Sequence, residues 1–265
     1  MKISQIYKLL FFVLTGFLFA QDIDWVNKTI TTEGAAYGKN KLMAKRGAKT
    51  DARRNLIEAL KEIRVDSKTT MRDLEVEEDL VVTQASGYIK QAWFDDNSVE
   101  YERDGEKWMC TISITMPLLG EYSQAVLPSG KSKGTAETKA PAYEPTSTPP
   151  PPPAKPYTGL VIDLRDNKVV PSMAPKIVTK DGAVIYDMSR VSRQYATEMG
   201  VVGYIKKVGN PQSMIRIGDN PLVIKAQGTT GMTPSDAVVD GDGAELISSL
   251  NQKILKECKV AFLID

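Results

Sequence analysis

Eight of the chain's 15 prolines stand between Pro141 and Pro156, five of them in an unbroken run at 149–153. Neither a helix nor a sheet can run through such a stretch, because each proline fixes φ and withholds a backbone N–H. Residues 128–157 (PSGKSKGTAETKAPAYEPTSTPPPPPAKPY) otherwise offer only alanines and two tyrosines for burial. The segment is expected to be disordered. Its Lys/Gly/Ser/Thr-rich first half reads as flexible and its proline run as stiff polyproline II, about 3.1 Å per residue. A PxxP-type ligand is the competing reading. As a spacer, the segment forces the fold into two parts, residues 21–127 and 158–265.

Residues 1–20 (MKISQIYKLLFFVLTGFLFA) form a third element. Lys2 and Lys8 give a basic start, an apolar run of about 11 residues follows, and Ala20 is a small residue at a cut site before Gln21. That is the pattern of a secretory signal peptide, and the run is short of the roughly 20 residues a spanning helix needs. No Cys lies near the cut, so the exported chain is expected to carry no lipid. A periplasmic or outer-membrane-associated location follows, with no transmembrane helix after cleavage and only peripheral membrane contact.

Composition narrows the chemistry. There are 34 basic and 33 acidic residues, so no global field attracts nucleic acid. There is no histidine at all. His-dependent triads, His-ligated zinc and His-based pH switching are therefore excluded, and the commonest general base is missing. Cys110 and Cys258 fall one in each part, as two buried thiols or as a disulfide between the parts.

In the first part, residues 22–34 read as a strand, with Gly34 and Gly38 flanking a turn. Residues 39–63 read as one long helix: Ala48, Ala52, Leu56, Leu60 and Ile63 make a single apolar stripe. Its alanines imply close approach to a partner surface, and its larger residues imply filled volume further on. A strand is expected from about Thr83. Residues 98–116 form a hairpin turning at Asp104-Gly105, with Trp108, Cys110, Ile112, Ile114 and Met116 alternating on the way out. The fold class is α+β, a long helix on a small antiparallel sheet.

The second part reads as a strand-rich α+β domain. Strands are expected at 159–164, at 176–178 and 183–186 around Lys180-Asp181-Gly182, at 201–208 and at 221–227. A helix is expected at 243–255. The closing apolar run at 260–264 is expected to be a central strand, buried on both faces.

The run LMAKRGAKTDARRNLIEALKEIRVDS, with Thr69-Thr70 and Gly87-Tyr88-Ile89 after it, resembles the LPP-twenty lipoprotein family and the N-terminal domain of flagellar assembly protein T. The resemblance covers the first part only. It implies an exported bacterial envelope protein with a helix packed on a small antiparallel sheet and no established catalytic activity. Two departures stand out: the lipoproteins have a Cys at the signal cut site, and the flagellar protein carries different domains after the first.

Lys41, Lys45, Lys49 and Arg53 recur every four residues on one helical face. They are the candidate partner-binding residues, a docking surface for an acidic protein, a glycan or a phospholipid headgroup; a solvated helix face is the alternative. An acid run at Asp73, Glu75, Glu77, Glu78 and Asp79 could pair with it, within the chain or between copies. Asp236, Asp240, Asp242 and Glu245 suggest either a calcium loop or, more simply, a turn entering a helix with Asp242 as cap. The 228–231 segment lacks phosphate-loop spacing. No catalytic, cofactor-binding or metal residues emerge, and no cofactor is implied. The expected function is a non-enzymatic binding or scaffolding component of the envelope, in a flagellar or outer-membrane assembly, with envelope proteins or further copies as partners. A periplasmic small-ligand carrier or sensor, with its pocket in the second part, is the alternative. A carboxylate hydrolase is a weaker third.

Overall fold

The computed structural model describes residues 22–77, 87–128, 141–145 and 155–265. It is a mixed α+β fold with a helix packed on an antiparallel sheet in its N-terminal part. By contacts the chain divides into two compact units. One joins Ile30–Ala59 to Trp93–Thr115; the other joins Asp24–Thr29, Leu60–Ala92 and Met116–Asp265. This partition follows other lines than the proline segment, since it passes through the long helix between Ala59 and Leu60.

The first unit is built on a sheet of order β1-β2-β4-β3. Its strands are β1 (Asp22–Asp24), β2 (Thr29–Gly38), β3 (Trp93–Asp104) and β4 (Lys107–Pro117). The single strand expected over 22–34 is thus two strands with Trp25 in the turn between them. The expected hairpin β3–β4 is present but turns one residue later, with Asp104 still in the ladder and Gly105-Glu106 as the loop in place of Asp104-Gly105, and with Gly105 at φ 59°. Glycine at the first of two loop positions accepts the positive φ that a hairpin of this length requires.

Helix α1 (Lys41–Lys61) lies on this sheet through its small residues. Ala44, Ala48, Ala52 and Leu56 are fully buried. Gly34 and Gly38 do not flank a turn. They sit on β2 under the helix, where a Cβ on Gly34 would come within 2.1 Å of the Ala52 nitrogen and one on Gly38 within 2.3 Å of the Ala44 nitrogen. Glycine is needed there for close approach of two backbones. The contact is pinned by polar bonds: Thr32 Oγ1 donates to the Ala52 carbonyl, Ala35 N–H donates to Asp51, and the Asn55 amide donates to the Glu33 carbonyl. Ile112 and Ile114 complete the core from β4. The other sheet face carries Thr31 and Thr115, whose hydroxyls are 2.9 Å apart.

In the second unit, helix α2 (Met71–Glu77), a 3-10 turn (Ile89–Gln91) and helix α3 (Glu121–Val126) precede the proline segment. The strand expected from Thr83 lies outside the described residues as far as 86, and 87–91 is helical. Beyond the segment stand two four-stranded sheets. The first is wholly parallel: β5 (Gly159–Asp163), β8 (Gly203–Ile205), β9 (Pro221–Lys225) and β12 (Val260–Leu263), in the order β8-β12-β5-β9. The closing strand β12 is central and fully buried, as its unbroken apolar run requires. The second is mixed: β6 (Ile177–Thr179), β7 (Val184–Tyr186), β10 (Gly228–Thr230) and β11 (Asp236–Val239), in the order β10-β11-β6-β7. There β11 and β6 run parallel while both outer pairs are antiparallel.

Four helices accompany these sheets: α4 (Arg193–Met199), α5 (Pro211–Ile217), α6 (Gly241–Ser249) and α7 (Gln252–Lys256). The single helix expected over 243–255 is therefore two, interrupted at Leu250-Asn251. Its cap is Asp240, which accepts from the Gly243 N–H at 2.8 Å, and not Asp242. Helix α5 starts on Asn210, whose side chain accepts from the Ser213 N–H, with Pro211 at the first helical position. Parts of the proline segment are ordered. Residues 141–143 pair with Val184 of β7, and the Asn220 amide donates to the carbonyls of Lys155 and Pro156. Cys110 and Cys258 are both buried free thiols. Among the described residues no helix is long and apolar enough to cross a membrane.

Candidate functional site

The four basic residues singled out by their spacing all lie over the β3–β4 hairpin. The apolar stripe of α1 rests above β2, and the residues beside it on the helix reach across toward β4 and β3. Lys41 Nζ is 4.6 Å from the Trp108 ring centroid and 5.1 Å from that of Tyr101. Lys45 forms an ion pair with Asp96 at 2.9 Å. Lys49 and Arg53 both lie over Phe94, at 4.6 and 4.9 Å. Arg103, on β3 itself and paired across from Trp108, has its guanidinium 5.7 Å from that ring's centroid.

A backbone irregularity makes this arrangement possible. Phe94 pairs with Ile114 and Tyr101 with Cys110, and the register shifts between Asp95 and Glu100. Ile114 and Cys110 share a face of β4, whereas 94 and 101 differ in parity. The bulge therefore returns both rings to the helix side. Without it, one of them would face away from the lysines.

Electrostatically the stripe is half spent. The ion pair lowers the Asp96 carboxyl and raises the Lys45 ammonium, in both cases chiefly through their hydrogen bond. Lys41 and Arg53 remain exposed, and Lys45 and Lys49 are half-buried. Trp93, Tyr101, Tyr37, Leu42 and Met43 are exposed in the same unit. Of the acid run, Asp73 accepts from the N–H and hydroxyl of Thr70 and opens α2. Glu78 and Asp79 lie outside the described residues.

A second constellation escaped sequence reasoning. In the second unit the turn at 24–29 is tied by Asp24, which accepts from the N–H groups of Val26 and Asn27. It carries Lys28 at φ 56° and almost completely buried. Lys28 Nζ lies 4.5 Å from the Tyr204 ring centroid and 5.3 Å from that of Trp25. Tyr204 in turn stacks edge-on with Phe262, and its hydroxyl accepts from the Ser172 N–H and donates to the Ser172 carbonyl. Burial, and then the charge of Arg216, hold the Lys28 ammonium well below its ordinary pKa.

Arg216 is half-buried, and desolvation of its guanidinium lowers its pKa. Its guanidinium donates to the carbonyls of Met199, Gly200 and Cys258. The first two close helix α4, so the cation caps the negative end of that helix. Among the described residues no carboxylate pairs with Lys28 or Arg216. Cys258, also beside Tyr186, has its thiol pushed up to about 11 by burial. No periodicity or motif marks Lys28 or Arg216, and only Gly203, whose Cβ would meet the Arg216 side chain at 2.6 Å, hints at the path of the guanidinium.

The acidic cluster of the second unit is dispersed. Asp236 is buried on β11 and accepts from the Lys176 N–H, and burial raises its carboxyl. Asp240 caps α6 and accepts from the Gln227 amide. Among the described residues no three Asp, Glu, Cys or His side chains are grouped to hold a metal ion. A cavity of about 350 Å³, open to solvent, is lined by Gln124, Arg193, Gln194, Thr197 and Glu198. Arg193 there donates to the carbonyls of Gln124, Leu127 and Pro128.

Residues 159–265, less than half of the chain, match the family described as Treponema pallidum Tp0624, second domain. The match spans β5 to β12, and hence both sheets of the second unit. No curated protein matches the chain.

Proposed function

We propose that the chain is an exported, non-catalytic component of the bacterial envelope that works by binding an acidic partner. The signal-like residues 1–20 support export without lipid, to the periplasm or the outer membrane. The resemblance of the first part to envelope lipoproteins and to a flagellar assembly protein supports a place in a larger envelope assembly. The observation that carries the reading is the face formed by Lys41, Lys45, Lys49 and Arg53 over Phe94, Tyr101 and Trp108. Cations stacked on rings are held in place yet keep their charge, which suits a surface that must present positive charge in a fixed pattern. A small-ligand carrier would draw on the cavity at Gln124 and Arg193, whose openness to solvent suits that role less than an enclosed pocket would.

The test is capture of the native partner from envelope fractions by the mature protein and by its Lys45→Glu/Lys49→Glu variant. The variant should fold as the wild type does by circular dichroism, lose most of its partner at low salt, and show a weaker salt dependence in what remains. Full retention at low salt would mean that the stripe serves only to cover the hairpin.

A further inference from the structure

Strand β7 ends the sheet order β10-β11-β6-β7, so its outer edge has no strand of that sheet beside it. A bare edge of this kind is a template for pairing with another chain. Here residues 141–143 of the described segment 141–145, PAYEP, pair with it at Val184. Ala142 forms a parallel bridge with Val184. The Val184 N–H donates to the Pro141 carbonyl at 2.9 Å, and the Tyr143 N–H donates to the Val184 carbonyl at 3.0 Å. Both main-chain groups of Val184 are thus taken by the segment.

The occupant's chemistry is specific. Pro141 and Pro145 bound it, and neither can donate to a ladder, so the pairing cannot spread along the edge in either direction. Tyr143 is the one half-buried residue of the five. Burial, and then the carboxylate of Glu245 on α6, raise its phenol. Among the described residues, two main-chain bonds to Val184 hold the segment. The chain joining it to Pro128 on one side and Lys155 on the other could extend roughly 30–45 Å at ~3.3–3.6 Å per residue.

We propose that the outer edge of β7 is a docking edge for an extended, proline-bounded peptide, and that a second copy of this chain supplies it by exchange of residues 141–145. Within one chain the high effective concentration of the tethered segment keeps the edge closed. Between chains the same bonds, made reciprocally, give a closed two-fold pair, as in other exchanges of an identical element. This inference does not depend on the basic face of α1.

Complementation tests it. The mature chain lacking residues 141–145 keeps the edge without the segment. The Val184→Pro chain keeps the segment without the edge donor. Each alone should be monomeric by light scattering, and the mixture should form a 1:1 complex. A synthetic peptide of residues 139–147 should bind the deletion chain and bind the wild type at least ten-fold more weakly, because the wild-type edge is already filled. If Val184→Pro does not fold, wild type titrated into the deletion chain serves as donor. Lys45→Glu/Lys49→Glu should behave as wild type throughout. Failure of the deletion chain to bind either chain or peptide overturns the docking edge, and binding of the peptide without any chain–chain complex overturns the second copy as its occupant.

Discussion

Lys41, Lys49 and Arg53 in the first unit lie over aromatic rings with water on their outer side, whereas Lys28 in the second lies over two rings and is almost wholly enclosed. The same contact has opposite consequences in the two places. At the surface the cation keeps its hydration, and the ring adds about 0.5–1 kcal/mol. Inside, desolvation dominates and pushes the ammonium toward its neutral form. Arg216, half-buried, meets desolvation differently, since its rigid fork is matched by three carbonyls. Stacking geometry alone therefore says little about energy; what surrounds the far side of the cation decides it.

The largest expected effect falls on the enclosed cluster. Arg216→Met should cost roughly 3–5 kcal/mol, because several buried carbonyls lose their donor at about 1–3 kcal/mol each. Arg216→Lys should restore little, lacking the fork. Denaturant melts of the protein measure both. A cost under about 1 kcal/mol would mean that those carbonyls find other donors and that the enclosed cluster is no more demanding than the surface one.

On the first unit the comparable weight lies under the lysines and not in them. Leu56 is fully buried on the stripe that faces the sheet. Leu56→Ala should cost roughly 2–5 kcal/mol, the range for a truncated core leucine. A loss below about 0.5 kcal/mol in the same melts would show that α1 is held by its backbone approach to Gly34 and Gly38 rather than by this side chain.

The two regions were also unequally legible in the sequence. The i, i+4 spacing of Lys41 to Arg53 and of Ala48 to Leu60 is a local signal, fixed by the pitch of one helix, and it survives into the structure. So does the alternation of Trp108 to Met116 on β4 and the unbroken apolar run of β12. Gly34 and Gly38 were misread because a glycine needed for close packing looks the same, in sequence, as one needed for a turn. Helices α4 and α5 were missed because seven residues are too few to set a helical period, and at α5 the Asn210-Pro211 start also looks like a turn. Lys28 and Arg216 meet through segments distant in the chain. Their neighbours Tyr204, Met199 and Cys258 carry no common period, so nothing local could have revealed them.

Lys28 separates the two environments by pH. Lys28→Met keeps the volume and should change stability at neutral pH by under about 1.5 kcal/mol. The sign of the pH dependence follows from linkage. The folded pKa of Lys28 is depressed, so as the pH falls below the unfolded value of about 10.4 the unfolded chain binds a proton that the folded chain does not. Wild-type stability therefore drops relative to Lys28→Met over that window and levels off below the folded pKa. Cys258, Tyr186 and Tyr204 also titrate at alkaline pH, but they are common to both proteins. Paired melts from alkaline to neutral pH read the difference, and a pH-independent difference would show that Lys28 keeps its ordinary pKa.

The smallest effect belongs to Lys41, and it bears most directly on what the surface cations are for. Lys41 is exposed and lies over Trp108 and Tyr101. Lys41→Met should cost about 0.5–1 kcal/mol at low ionic strength, and Lys41→Arg should cost nothing measurable because guanidinium stacks at least as well. Salt should diminish the Lys41→Met effect, since water and counterions reach the outer side of this cation. The Lys28→Met effect should be indifferent to salt, because counterions cannot reach an enclosed group. If both variants respond to salt alike, burial does not distinguish the two clusters. If Lys41→Met instead stabilises the fold, the ammonium is held over its rings at a cost, which is what a residue retained for contact with an acidic partner rather than for folding would show.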